Sequence, residues 1–75
     1  MNWKPFKFAK LECESVEVGS KRGDVFAPTN NPNAPKPVYW NVIDFKGRKP
    51  LGMVASGFCD TTDEAKTACA AAMGF

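Results

Sequence analysis

The chain contains no histidine. The usual base for a serine or cysteine nucleophile is therefore missing, and so is a common partner of cysteine at zinc sites. Cysteine is sparse as well: Cys13, Cys59 and Cys69, an odd number with no Cys-x-x-Cys pair. They form no even disulfide set, and they fall one ligand short of a zinc site. Free, reduced thiols are expected, and with them a cytoplasmic location. No apolar run nears the roughly 20 residues of a membrane-spanning helix. The first ten residues, MNWKPFKFAK, lack the apolar core of about 7–15 residues that a secretory signal carries. No membrane partner is expected. Neither sign of charge dominates: 10 basic and 8 acidic residues give net +2, too mild to argue alone for nucleic acid or lipid. There is no phosphate-cradling loop either. Gly47, Gly52 and Gly57 are widely spaced and lack the lysine and Ser/Thr order that a P-loop needs. No cofactor and no metal are expected.

Apolar material is plentiful. The chain is 44% hydrophobic and carries two Trp, one Tyr and six Phe, so its composition is that of a folded chain. Its 75 residues suit a single small domain with a modest core and a stability of a few kcal/mol.

The most legible stretch is residues 38–73, read as a β-hairpin followed by a helix that lies on it. Thr61 suits an N-cap, with Glu64 three residues on in the capping-box position. Asp63 and Glu64 place negative charge in the first turn, where the helix dipole favours it. Ala65, Ala68, Cys69, Ala72 and Met73 form one stripe, Lys66 falls on the solvent side, and Gly74 offers a stop. Small side chains on the stripe allow close approach to a sheet, so the large groups must come from the sheet. In the hairpin, Val38, Trp40 and Val42 share one side, and Tyr39, Asn41, Ile43 and Phe45 share the other. Residues 46–49 make the turn, with Gly47 supplying positive φ. Pro50 belongs at a strand entrance or on an edge. Gly52 and Gly57 mark a bulge or a close backbone approach.

Upstream, residues 6–18 read as one long strand or two pieces. Leu11 and Cys13 share one parity and Val16 and Val18 the other, so a bulge or a strand boundary is expected near Glu14 and Ser15. Residues 19–23 read as a turn by composition, and residues 24–26 as a short return strand beside residues 16–18. Residues 27–37, with four Pro and three Asn, exclude helix and central strand and predict a long surface loop, a place where recognition often resides.

Chemistry-bearing residues are few. Cys59 precedes the helix start, where a dipole activates a thiol, but no base accompanies it. Capping and solvation account for Asp60, Asp63 and Glu64. The chain is expected not to be an enzyme. The residues best suited to contact a partner are Trp3 on the N-terminal arm, Tyr39, and Lys46, Arg48 and Lys49 at the hairpin tip. Lys21 and Arg22 add basic charge in a second turn, and Lys4, Lys7 and Lys10 on the arm. With Phe6, Phe8 and Trp40 interleaved, this set suits single-stranded nucleic acid. Against it stands the acidic series Glu12, Glu14 and Glu17, and the RNA-recognition signature is absent.

Trp40-Asn41-Val42, then Lys46-Gly47-Arg48, then Gly57-Phe58 and residues 61–66 (TTDEAK) resemble the strand, turn, strand and helix of many small phage and prophage proteins. The hairpin-then-helix order is also similar to the arm-type DNA-binding domains of phage integrases, from which the N-terminal half departs. The resemblance covers residues 38–73 and carries no site residue over. It implies a protein that binds and inhibits a host machine such as RNA polymerase or a defence complex. The expectation is an α+β domain: an antiparallel sheet of three to four strands with one C-terminal helix packed on one face. Its function is non-enzymatic binding of a protein partner, with nucleic-acid binding through the basic hairpin tip as the alternative. Because aromatics fall on both strand parities, something must cover the second face: the Pro-rich loop, the N-terminal arm or a partner.

Overall fold

A computed structural model describes residues 2–8, 11–27 and 33–74. Lys10 and residues 28–32 of the Pro/Asn segment lie outside the described residues. Five strands follow one another in sequence: β1 (Lys4–Phe8), β2 (Leu11–Val18), β3 (Lys21–Ala27), β4 (Val38–Lys46) and β5 (Lys49–Cys59). They pair antiparallel in that same order as one meander. The helix α1 (Thr62–Ala72) closes the chain and packs over β3, β4 and β5. The expected α+β architecture holds. The sheet has five strands where three to four were expected, because residues 4–18 fold back as two strands.

The helix begins and ends as its sequence dictates. The Thr61 hydroxyl accepts from the Glu64 backbone N–H at 3.2 Å and sits 3.1 Å from the Glu64 carboxylate, to which it donates. Gly74, at φ 97°, turns the chain out of the helix. Ala65, Cys69 and Met73 are buried, and Ala68 and Ala72 pack against the same core. Beneath them lie Val16, Val25, Val38, Trp40 and Val42 from the sheet. The close approach has its counterpart in β3: a Cβ at Gly23 would collide with Cys69 Sγ and stand 3.0 Å from Met73 Sδ. Gly23 is therefore in a strand and not in a turn. The turn there is Gly19-Ser20 alone, Lys21 resumes pairing opposite Val18, and Val25 lies opposite Glu14.

The other two glycines of interest sit in β5. The register slips twice, leaving Val54 and Leu51 as extra residues opposite β4. Gly52, between them, has φ 152°, a conformation that favours glycine. At Gly57 a Cβ would stand 3.0 Å from Trp40 Nε1, so the indole lies flush on the strand. Proline keeps to the edges: Pro5 is in β1 and Pro50 in β5, the two outermost strands. The bulge expected near Glu14 does not occur. Strand β2 pairs without a slip on both sides. Its apolar parity changes because its two ends are buried on different faces, Cys13 on one and Val16 on the other.

Lys66 is also placed differently from the solvent side expected of it. Its Nζ lies 2.7 Å from Glu14 Oε2 and 5.6 Å from the centre of the Trp3 ring. It ties the helix to the part of the sheet that α1 does not cover.

Candidate binding face

Cross-strand register sorts the side chains. Glu14, Val25, Trp40 and Gly57 line up on the helix side, as do Val16, Gly23, Val42 and Ala55. The next parity gives the other face, and its first row is Phe6, Cys13, Phe26, Tyr39 and Phe58, one residue from each strand. Phe8 joins this row from the end of β1. The rings touch in sequence: Phe6 and Phe8 stand 6.0 and 6.1 Å from Phe26, Phe26 stands 5.9 Å from Tyr39, and Tyr39 stands 5.1 Å from Phe58. Cys13 is buried among them. The two tryptophans go to the helix side and the phenylalanines of the strands to the open side. Among the described residues, no helix or strand lies over this second face. Phe8 is 62% exposed and Phe58 36%.

The second row is polar: Ser15, Asp24, Asn41 and Ser56. Asp24 is buried and accepts from Arg22 Nε at 2.9 Å. Burial pushes its carboxyl up from the ordinary range, and Arg22 only partly opposes this. Among the described residues the Asn41 carboxamide oxygen is buried with no hydrogen-bond partner, an arrangement that costs on the order of 1–3 kcal/mol. Such a group is unusual in the middle of a sheet. The third row holds Glu17, Arg22, Ile43 and Met53, with Phe45 beyond. The Arg22 guanidinium also reaches back to 5.6 Å from the Phe6 ring centre.

At that end the two turns are fastened together. The Phe45 N–H donates to the Ser20 carbonyl at 2.7 Å, and the Ser20 hydroxyl donates to Asp44 at 3.0 Å. Between them is an open concavity of about 640 Å³ lined by Glu17, Ser20, Lys21, Arg22, Phe45 and Arg48.

The sequence-predicted residues therefore separate into three places. Tyr39 is in the centre of the aromatic row, half-buried. Lys46, Arg48 and Lys49 are exposed at the β4–β5 turn, with Arg48 beside Lys21 and Arg22 at the concavity. Trp3 is on the helix side, half-buried against the core and under Lys66, so the N-terminal arm does not cover the open face. Sequence reasoning missed Phe26 and Phe58 as members of the site. The signal was present in their parity, one residue from Val25 and from Gly57, but it needed the five-strand register to be read.

The three thiols are free. Cys69 Sγ donates to the Asn41 carbonyl at 3.7 Å, and burial pushes its thiol up to about 11, with the Asp24 charge adding to the effect. Burial also raises Cys13. No group of three or more Cys, Asp or Glu that could hold a metal occurs among the described residues. None of their helices is long and apolar enough to cross a membrane. No family model matches the sequence, and no curated protein or solved structure matches it either.

Proposed function

We propose that this protein is a non-enzymatic binding module that grips a protein partner with the open face of its sheet. The observation that carries this reading is the aromatic row. Phe6, Phe8, Phe26, Tyr39 and Phe58 form a continuous apolar strip across the sheet, exposed at both ends. Clustered aromatic anchors are what dominates affinity at protein interfaces, and a contiguous apolar patch on a small protein marks an interaction site.

Two features favour a protein over a nucleic acid on this face. Its charges balance, with Lys4 and Arg22 against Glu17 and Asp24. At the β1 end the rings also stand edge to face, at 85° for Phe6 on Phe26 and 76° for Phe8 on Phe26, while Phe26–Tyr39 and Tyr39–Phe58 are tilted at 31° and 51°; stacked bases need ring faces laid open. The basic residues at the turn end, Lys21, Lys46, Arg48 and Lys49, are what favours the nucleic-acid reading. An inhibitor of a host enzyme complex, the role the phage resemblance implies, is the narrower form of the protein reading.

The test is affinity capture from a bacterial lysate with the intact protein and with Phe8→Ser/Phe58→Ser, after nuclease treatment and with washes up to about 1 M salt, where screening reduces the reach of charge to about 3 Å. The intact protein should retain a defined protein that the variant loses. Retention abolished by nuclease or salt, and unaffected by the aromatic substitutions, would overturn the proposal in favour of nucleic acid.

A further inference from the structure

Resting on the open face as the docking surface, we infer that the partner presents an extended acidic peptide, its apolar side chain seated on the aromatic row and its carboxylate in the concavity at the turn end. That concavity is lined by Lys21, Arg22, Arg48 and Glu17, with Phe45 beside them; Asp44 stands opposite Lys21 in the register and Asp24 is bound to Arg22. Among the described residues, neither Lys21 nor Arg48 is in an ion pair. Arg22 is engaged elsewhere, with Nε on Asp24 and its guanidinium beside the Phe6 ring, which leaves Lys21 and Arg48 for a ligand. A carboxylate is the complement of such a set, since arginine binds it in a fork.

The distance between the two parts sets the length of the ligand. Along β4, Tyr39 in the aromatic row and Phe45 at the concavity are six positions apart, about 20 Å at roughly 3.3 Å per residue. A strand-like segment thus needs its acidic residue about six positions from its apolar anchor. Between the anchors runs the polar row of Ser15, Asp24, Asn41 and Ser56. A peptide backbone brings both donors and acceptors to such a row. A nucleic-acid strand would bring a phosphate every step past Asp24 and Glu17, against their charge.

The experiment is selection from a random nonapeptide phage library on immobilised intact protein, repeated on Lys21→Glu/Arg48→Glu and on Phe8→Ser/Phe58→Ser, with folding checked by circular dichroism. Selected peptides should carry an aromatic or large aliphatic residue and an Asp or Glu about six positions away. Synthetic copies should bind at least tenfold more weakly to Lys21→Glu/Arg48→Glu, as the loss of one charge-assisted contact implies. Selection on that variant should turn the bias from acidic to basic. Peptides that need the aromatic row but show no acidic bias would overturn the inference and leave the open face standing. Acid-dependent peptides indifferent to Phe8→Ser/Phe58→Ser would instead overturn the open face as the docking surface. No enrichment over a bare-support control, or tighter binding of random oligonucleotides through the same residues, would also count against it.

Discussion

A methyl group at Gly23 would have nowhere to go. It would enter the space held by Cys69 Sγ, beside Met73 Sδ and Val16, in a core where α1 approaches β3 closely because both surfaces are small. Gly23→Ala should cost roughly 1–3 kcal/mol by overpacking, measured by urea denaturation. Truncating the neighbour should recover much of this, so Gly23→Ala/Cys69→Ala should be more stable than the sum of the two single changes predicts. Strict additivity would mean that the close approach is misplaced. Cys69 also ties stability to alkaline pH. Its folded thiol holds its proton to about 11, whereas an unfolded thiol loses it near 9. The unfolded state therefore binds fewer protons between those values, and stability falls as pH rises through them. The loss approaches 2–3 kcal/mol, since each tenfold change in proton affinity is about 1.4 kcal/mol. Between pH 6 and 8 this thiol should contribute no slope. In native protein at neutral pH, a thiol reagent should modify half-buried Cys59 first and reach Cys13 and Cys69 only on unfolding. Cys69→Ala should remove its share of the alkaline loss; an undiminished loss would assign it to other groups.

Among the elements, the helix is where the sequence spoke most plainly. The cap at Thr61, the acids that follow it, the small-residue stripe and the stop at Gly74 are all local signals, and the helix forms where they place it. Thr61→Ala should cost about 1 kcal/mol, read from the denaturation midpoint, and a change below about 0.3 kcal/mol would show that Asp60 can take over the cap. Lys66 was illegible because its partners, Glu14 and Trp3, lie far away in sequence. A heptad count sees only the helix. The strands were harder for the same reason. Periodicity gave β4 and its two faces, and glycine chemistry marked Gly52 and Gly57 as a bulge or a close approach without saying which; register slips flank Gly52, and the Trp40 indole lies against Gly57. Yet β2 looked broken because each end is buried on a different face. Gly23 looked like a turn residue by composition, but it pairs with Val16 and Val42 inside β3 and makes room for the helix above it. The aromatic row is the extreme case. Each of its members comes from a different strand, apart from Phe6 and Phe8, so the row exists only after the register of the whole sheet is fixed.

At the scale of the molecule, a small sheet has one face that α1 and Trp3 close and another that its own rings cover only in part. Beside that open face, β5 is an edge strand with no charge between Lys49 and Asp60, and Leu51, Met53 and Val54 are 47–58% exposed. An apolar, uncharged edge invites association, and the net charge of +2 offers little repulsion to oppose it. Solubility should therefore depend on where charge is added as well as on how much. Met53→Lys and Ala71→Lys raise the net charge equally. The first places an ammonium on the open face beside Ile43, and the second places it on the exposed side of α1. The ammonium sulfate concentration that precipitates half the protein should rise clearly for Met53→Lys and only slightly for Ala71→Lys, at a pH near 7 where both lysines are charged. Sulfate strengthens apolar association and screens charge together, so net charge alone cannot separate the two variants under these conditions. Equal shifts would show that self-association is governed by total charge and not by the open face.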